Sequence, residues 1–282
     1  EMGTRRPLMV QMAHDADALE PRISFQDEHS ESFGTVMSSH AAVSELIRER
    51  TFSHLRAVGK TVSAKPIVMR CSFAYCPNLT IIDTPGFILK AKSGDEPSTP
   101  EDIRQMVREL ITPPNRTILF LQQSSVEWCN SMFLPVIQEV DPHLQRTILI
   151  TSKFDNRLKE FHHRWEVDRY LSATGYLPEG AKPFFVALPK DRGAGGPNGP
   201  APAQPVADVA DGASVFRSAV AAVDQDILRQ LRADVEGGFD EETHGSRVGF
   251  ANLKRHLEAE LQRQYRDAAP AVLALLEERC GA

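Results

Sequence analysis

The chain has 282 residues, 41% hydrophobic and 25% charged, which is enough apolar material for one large domain or two small ones and excludes general disorder. The net charge of -6 argues against a nucleic-acid binder that works by general phosphate neutralisation. Cys71, Cys76, Cys129 and Cys280 are few and irregularly spaced, so they read as reduced structural thiols, and no apolar run approaches the ~20 residues of a membrane span. The cytoplasm is the expected compartment. Opening on Glu1 and stopping at "LLEERCGA" inside a helical pattern, the chain is expected to be a piece of a longer protein.

In chain order, "RRPLMVQMAH" reads as a short extended stretch. "SSHAAVSELIRERTFSHL" has helical spacing, with Val43, Leu46, Ile47 and Phe52 near one face. "KPIVMRCSFAYC" and "NLTIIDT" read as two strands joined by Pro77-Asn78 in a hairpin. In "STPEDIRQMVRELI", Thr99 can cap a helix, Pro100 suits its first turn, and Glu101 and Asp102 favour its positive end. "RTILFLQQ", "QRTILITSKFD" and "PFFVALPK" are apolar runs of the length of buried parallel strands. Residues 191–214, rich in Gly, Pro and Ala, are expected to form a flexible surface insertion. Two long amphipathic helices follow, and Pro270 inside the last predicts a kink or break there. Strands alternating with helices imply a mostly parallel sheet covered on both faces, with ligands beyond the carboxyl ends of the strands.

Three stretches stand at such ends. In "IIDTPGF", a carboxylate at Asp83 can hold Mg²⁺, and Gly86 lets a backbone N–H approach a γ-phosphate. D-x-P-G is also good turn chemistry on its own. In "TSKFD", Asp155 can accept two hydrogen bonds from guanine N1–H and N2–H₂, a donor pair that adenine lacks. Lys153 can lay its aliphatic stem along the base or ribose. In "MGTRRPL", Thr4 can offer its hydroxyl oxygen to Mg²⁺ and its N–H to a γ-phosphate as an ordered switch. The G-x-x-x-x-G-K-[ST] phosphate cradle is not found. "HLRAVGKT" ends correctly in Gly59-Lys60-Thr61, but His54 stands where the leading glycine belongs. The segment also follows a helix, so it reads as a helix C-terminal turn capped by Gly59. His162-His163 beside Trp165 lacks partners at metal spacing. Ser124, Ser125 and Glu127 lie at the ligand edge and read only as a polar loop.

Together "MGTRRPL", "IIDTPGF", "EVDPHLQRTILITSKFD" and "GGFDEE" resemble the dynamin superfamily of large GTPases, nearest in look to plant and algal members of cytokinesis and organelle division. The resemblance implies a P-loop GTPase-like three-layer α/β fold, here without its first strand and P-loop. It divides the chain into a partial GTPase domain over 1–190, the insertion at 191–214, C-terminal helices of that domain over 215–269, and the start of a bundle signalling helix over 270–282. It implies GTP and Mg²⁺ as ligand and cofactor. Thr4 would be the switch I threonine and metal ligand, with Arg5 and Arg6 its flanking basic pair. Asp83 and Gly86 would form switch II, Lys153 and Asp155 would read the base, Glu127 would reach across a dimer, and Pro270 would be a hinge. Implied partners are further copies of the protein, through the GTPase domains and a stalk outside this chain, membranes reached through regions outside it, and microtubules. Recruitment would be to the cell plate or an organelle division site. Ser152 departs from the Thr or Asn usual before the lysine, and "VALPKD" stands in place of an asparagine-bearing ribose loop.

Two readings of function follow. One is a dynamin-type GTPase that remodels membranes, of which this chain alone is expected to bind GTP weakly or not at all. The other is a non-enzymatic GTPase-like scaffold. If the missing strand lies mid-sheet, its loss is expected to leave two strands with unpaired edges.

Overall fold

A computed structural model describes residues 4–37, 39–173, 175–189 and 209–281. The chain divides into two compact units, Glu1–Arg116 and Thr117–Ala282, so the boundary falls inside the expected GTPase domain. The fold class is α/β with parallel strand pairing, and the C-terminal end is helical.

The first unit runs β1 (Leu8–His14), β2 (Arg22–Phe25), α1 (His40–Val58), β3 (Ile67–Phe73), β4 (Leu79–Asp83) and α2 (Thr99–Ile111). Its strands lie in the order β2-β3-β1-β4. β1 is parallel to β3, with Leu8 opposite Ile67, and antiparallel to β4, with Leu8 opposite Asp83. The expected hairpin of β3 with β4 therefore does not form, because β1 lies between them. The turn residue Asn78 is engaged by β1 instead: its side-chain oxygen accepts from the His14 N–H at 2.8 Å. Only four residues long, β2 carries too little alternation to be read from sequence.

Ser39 caps α1 by accepting from the Ala42 N–H at 3.2 Å. The helix ends where Gly59 turns left-handed at φ 64°, with the Gly59 and Lys60 N–H groups both donating to the Leu55 carbonyl. The Gly59-Lys60-Thr61 segment is thus the predicted helix cap. Thr51 and Leu55 form the buried face of α1, while Phe52 stands exposed, one position off that stripe. Thr99 does not cap α2 with its side chain; its hydroxyl donates to the Glu96 carbonyl at 2.7 Å and lies 2.6 Å from the Thr61 hydroxyl.

The second unit runs β5 (Ile118–Gln123), α3 (Leu134–Gln138), β6 (Thr147–Ser152), α4 (Arg164–Ser172), β7 (Phe184–Phe185), α5 (Val209–Ala233), α6 (Glu241–His244) and α7 (Phe250–Gly281). Its sheet, β5-β6-β7, is parallel throughout, and β7 is far shorter than its apolar run suggested. Adjacent residues of the strands face opposite ways. Ile148, Ile150 and Phe184 pack with Leu253 of α7, whereas Phe185 packs with Phe154, Tyr170 of α4 and Ile227 of α5. Helices therefore cover both faces of β6 and β7. β5 differs: Ile118 and Phe120 are buried, but Leu119 is 44% and Leu121 63% exposed, so the fully buried strand expected there is covered on one face only. Among the described residues β5 pairs with β6 alone, and in the first unit β4 pairs with β1 alone.

Before β6, the Asp141 carboxylate accepts from the Gln145 and Arg146 N–H groups and the Thr147 hydroxyl, and so fixes where the strand begins. α5 begins at Val209, inside the expected insertion, while residues 190–208 lie outside the described ones. The Asp224 carboxylate of α5 accepts from the Phe250 and Ala251 N–H groups at 2.8 and 3.0 Å, capping α7. α7 runs through Pro270 without ending. The break expected there is not seen: alanines flank the proline and residues 271–280 are exposed, so carbonyls left without an N–H can turn to water.

Candidate functional site

In the first unit, Asp83 is the last residue of β4 and Thr4 precedes β1, whose start lies opposite Asp83. The pairing brings the two together: the Thr4 hydroxyl donates to the Asp83 carboxylate at 3.2 Å, across 79 positions of sequence. Both residues are exposed. A carboxylate and a hydroxyl are hard oxygen donors, a set that fits Mg²⁺. Gly86 follows in an irregular loop; a Cβ built there would meet nothing within 4 Å, so the space above its backbone is open.

The two arginines beside Thr4 have structural partners. Arg5 donates to the Asp95 carboxylate at 2.9 Å and to the Thr61 carbonyl at 3.1 Å, tying the entry of β1 to the loop beyond Gly86. Arg6 is 2% exposed. Its guanidinium donates to the Lys65, Arg50 and Pro66 carbonyls and to the Glu28 carboxylate at 3.0 Å. Burial raises the Glu28 carboxyl, but its bonds to Arg6 and Lys65 outweigh that and hold it below the usual range. The pair read as a basic flank is thus one clamp and one buried brace.

In the second unit, Lys153 and Asp155 follow β6. Lys153 is exposed and left-handed, φ 56° and ψ 37°, and a single-turn 3₁₀ helix, Phe154–Asn156, carries Asp155. Phe154 between them has no exposed surface and lies among Phe161, Tyr170 and Phe185. The alternation is the point: the buried aromatic anchors a loop whose neighbours face outward. Ser124 and Glu127 lie in the loop after β5. Ser124 is buried and bonded to this turn, and the Glu127 carboxylate is paired with Arg157 of the same chain. Tyr170 escaped the sequence reading because nothing in its spacing connects it to "TSKFD"; Arg157 follows that motif by two residues, but its pairing with Glu127 spans 30 positions. His163 precedes α4, with its N–H donating to the Glu166 carboxylate at 2.9 Å and its ring 2.9 Å from the Glu236 carboxylate. Among the described residues no group of three or more His, Cys, Asp or Glu is placed to hold a metal ion, and no helix is long and apolar enough to cross a membrane.

β4 ends at Asp83 just ahead of Thr84-Pro85-Gly86, Thr4 is bonded to that aspartate, and β6 ends just ahead of Lys153-Phe154-Asp155. The Dynamin family profile matches residues 1–154, more than half of the chain. The chain belongs to the dynamin family. Among its relatives, Dynamin-related protein 5A of Arabidopsis thaliana is 55% identical over 99% of this chain and 32% of its own length. Dynamin-like protein C of Dictyostelium discoideum is 32% identical over 99% of this chain and 33% of its own length. Dynamin-like protein ARC5 of Arabidopsis thaliana is 28% identical over 97% of this chain and 34% of its own length. This dynamin-family chain therefore spans about a third of the length of these relatives.

Proposed function

We propose that the chain carries the switch and base-reading parts of a dynamin-type GTPase, which hydrolyses GTP to GDP and phosphate and couples that to membrane remodelling in cytokinesis or organelle division. The observation that carries this reading is the bond between Thr4 and Asp83, which joins the two residues assigned to the metal side. Mg²⁺ bound there would neutralise charge on the phosphates. The chain's own residues divide the remaining work. The Asp83 carboxylate and Thr4 hydroxyl hold oxygen-ligand positions. The backbone N–H of Gly86 donates to the γ-phosphate across open space. Asp155 accepts from guanine N1–H and N2–H₂, and Lys153 covers the base or ribose with its stem. Glu127 reaches a second copy by exchanging its Arg157 partner. Pro270 serves as a hinge toward a stalk, through which further copies assemble. Membranes and microtubules are partners of the whole protein, which acts in the cytoplasm and at the membranes it is recruited to.

Asp155→Asn in the full-length protein tests the reading, because the substitution reverses the donor and acceptor pattern. Competition binding should turn from GTP toward xanthosine triphosphate, with ATP weak throughout. An unchanged GTP preference would remove Asp155 from the site. Titrating a fluorescent GTP analogue into the 282-residue chain and into an extended chain carrying a G-x-x-x-x-G-K-[ST] loop separates the enzyme from a scaffold: binding should rise sharply with the loop.

A further inference from the structure

The left-handed backbone of Lys153 is unusual for a residue with a side chain, and it persists only where its surroundings hold it. The holding groups come from elsewhere in the second unit. The Ser124 hydroxyl donates to the Lys153 carbonyl at 2.7 Å, and the Ser124 N–H donates to the Ser152 carbonyl at 2.9 Å. Ser124 is only 2% exposed, so these bonds do not compete with bulk water. Its own carbonyl accepts from the Tyr170 phenol at 3.0 Å, a fully buried bond. Burial pushes the Tyr170 phenol up, so the ring keeps its proton and acts there as a donor.

The Tyr170 ring also grips the next two positions that matter. It stacks on Phe154 with centroids 6.2 Å apart and planes within 8°. On Tyr170 lies the Arg157 guanidinium, 4.8 Å from the ring centroid, which in turn pairs with Glu127 and Glu160. The turn is therefore held at the carbonyl of residue 153, the ring of residue 154 and the guanidinium of residue 157; Tyr170 of α4 touches the second and third directly and reaches the first through Ser124.

We propose that Ser124 and Tyr170 are positioning residues for nucleotide recognition: the chain of bonds from the Tyr170 phenol through Ser124 to the Lys153 carbonyl fixes the left-handed turn that aims Lys153 and Asp155 at the base. The proposal rests on the reading that those two residues recognise guanine. A packing role alone would lower stability and leave the ratio of GTP to ATP affinity where it was. A positioning role moves that ratio, because a turn released to ordinary backbone angles points Asp155 away from the N1–H and N2–H₂ pair.

The test uses the full-length protein with Ser124→Ala, Tyr170→Phe and Asp155→Asn, and reads the affinities for GTP, ATP and xanthosine triphosphate. Tyr170→Phe deletes one oxygen and keeps the stacked ring, so it decides the matter should Ser124→Ala fail to fold. Ser124→Ala should weaken GTP about tenfold, roughly 1.4 kcal/mol, and leave ATP nearly unchanged. Tyr170→Phe should weaken GTP about threefold in the same selective way. If Asp155→Asn switches preference to xanthosine triphosphate while both other variants keep the wild-type ratio of GTP to ATP, the brace is refuted and the base reading stands. If Asp155→Asn changes nothing, both fall together.

Discussion

The two units hold their candidate ligand-binding residues in opposite ways. In the first, Thr4 and Asp83 are exposed and meet through one hydrogen bond at 3.2 Å, while the rigidity sits behind them in Arg6 and its four oxygen partners. In the second, the Lys153–Asp155 turn is built around Phe154, which has no exposed surface, and is tied down through Ser124. The difference suits the two tasks proposed for them. A residue that must meet a phosphate and later release it belongs on a lightly held segment. A residue that must distinguish donors on a base works best preorganised, so that no binding energy goes into ordering it.

That contrast can be broken at several strengths. Phe154→Ala carries the largest expected effect: emptying the centre of an aromatic cluster should destabilise the chain by about 3–5 kcal/mol in urea unfolding. Thr4→Ala should by contrast shift stability by less than roughly 0.5 kcal/mol while abolishing turnover in the full-length protein. Equal losses of stability at the two positions would erase the distinction. Arg6→Met should cost about 3–5 kcal/mol, because it takes the donor from the Lys65, Arg50 and Pro66 carbonyls and leaves the Glu28 carboxylate to Lys65, and it should leave the half-buried Arg5–Asp95 clamp formed.

A smaller effect is set by pH. The Glu28 carboxyl is held low in the folded chain, so the stability it contributes is present above its unfolded value of about 4.3 and is lost as pH falls through the lower folded value. Urea midpoints measured from about pH 6 down to pH 3 should fall, and Glu28→Gln should flatten that acid limb. The smallest effect concerns Thr151. It is 1% exposed, and its hydroxyl has no hydrogen-bond partner among the described residues. Thr151→Val should raise the melting temperature by roughly 2–4 °C for each kcal/mol recovered; a drop would mean that the hydroxyl has a partner.

Much of this was legible in the sequence because it is local. Apolar runs ending in Asp83 and in Lys153-Phe154-Asp155 announce strand ends, and Gly59 announces a helix end. What stayed hidden depends on contacts between distant residues. β1 between β3 and β4 looks in sequence like a preface to a hairpin, because adjacency is all that a turn signal such as Pro77-Asn78 can report. Arg6 reads as a surface charge in "TRRP" and is buried only because carbonyls near residues 50 and 65 converge on it. The exposed Leu119 and Leu121 carry the opposite lesson: their apolar character predicts a covered face, and the second unit by itself does not supply the cover. Tyr170 could not be linked to the Lys153–Asp155 turn, since its bond to Ser124 spans 46 positions.

The central place of β1 also dictates an order of events on the ribosome. The strand is synthesised before both of its neighbours: β3 ends at Phe73 and β4 at Asp83. At about 5–20 residues per second, the nascent chain carries this seven-residue strand, with its apolar Leu8, Met9, Val10 and Met12, for several seconds before either partner strand is complete. The next strand in the chain, β2, does not shelter it, since β2 pairs with β3. Among the described strands of the first unit's sheet, β1 is made ahead of both strands that flank it, so "LMVQMAH" is a segment for which a chaperone would matter while the protein is being made.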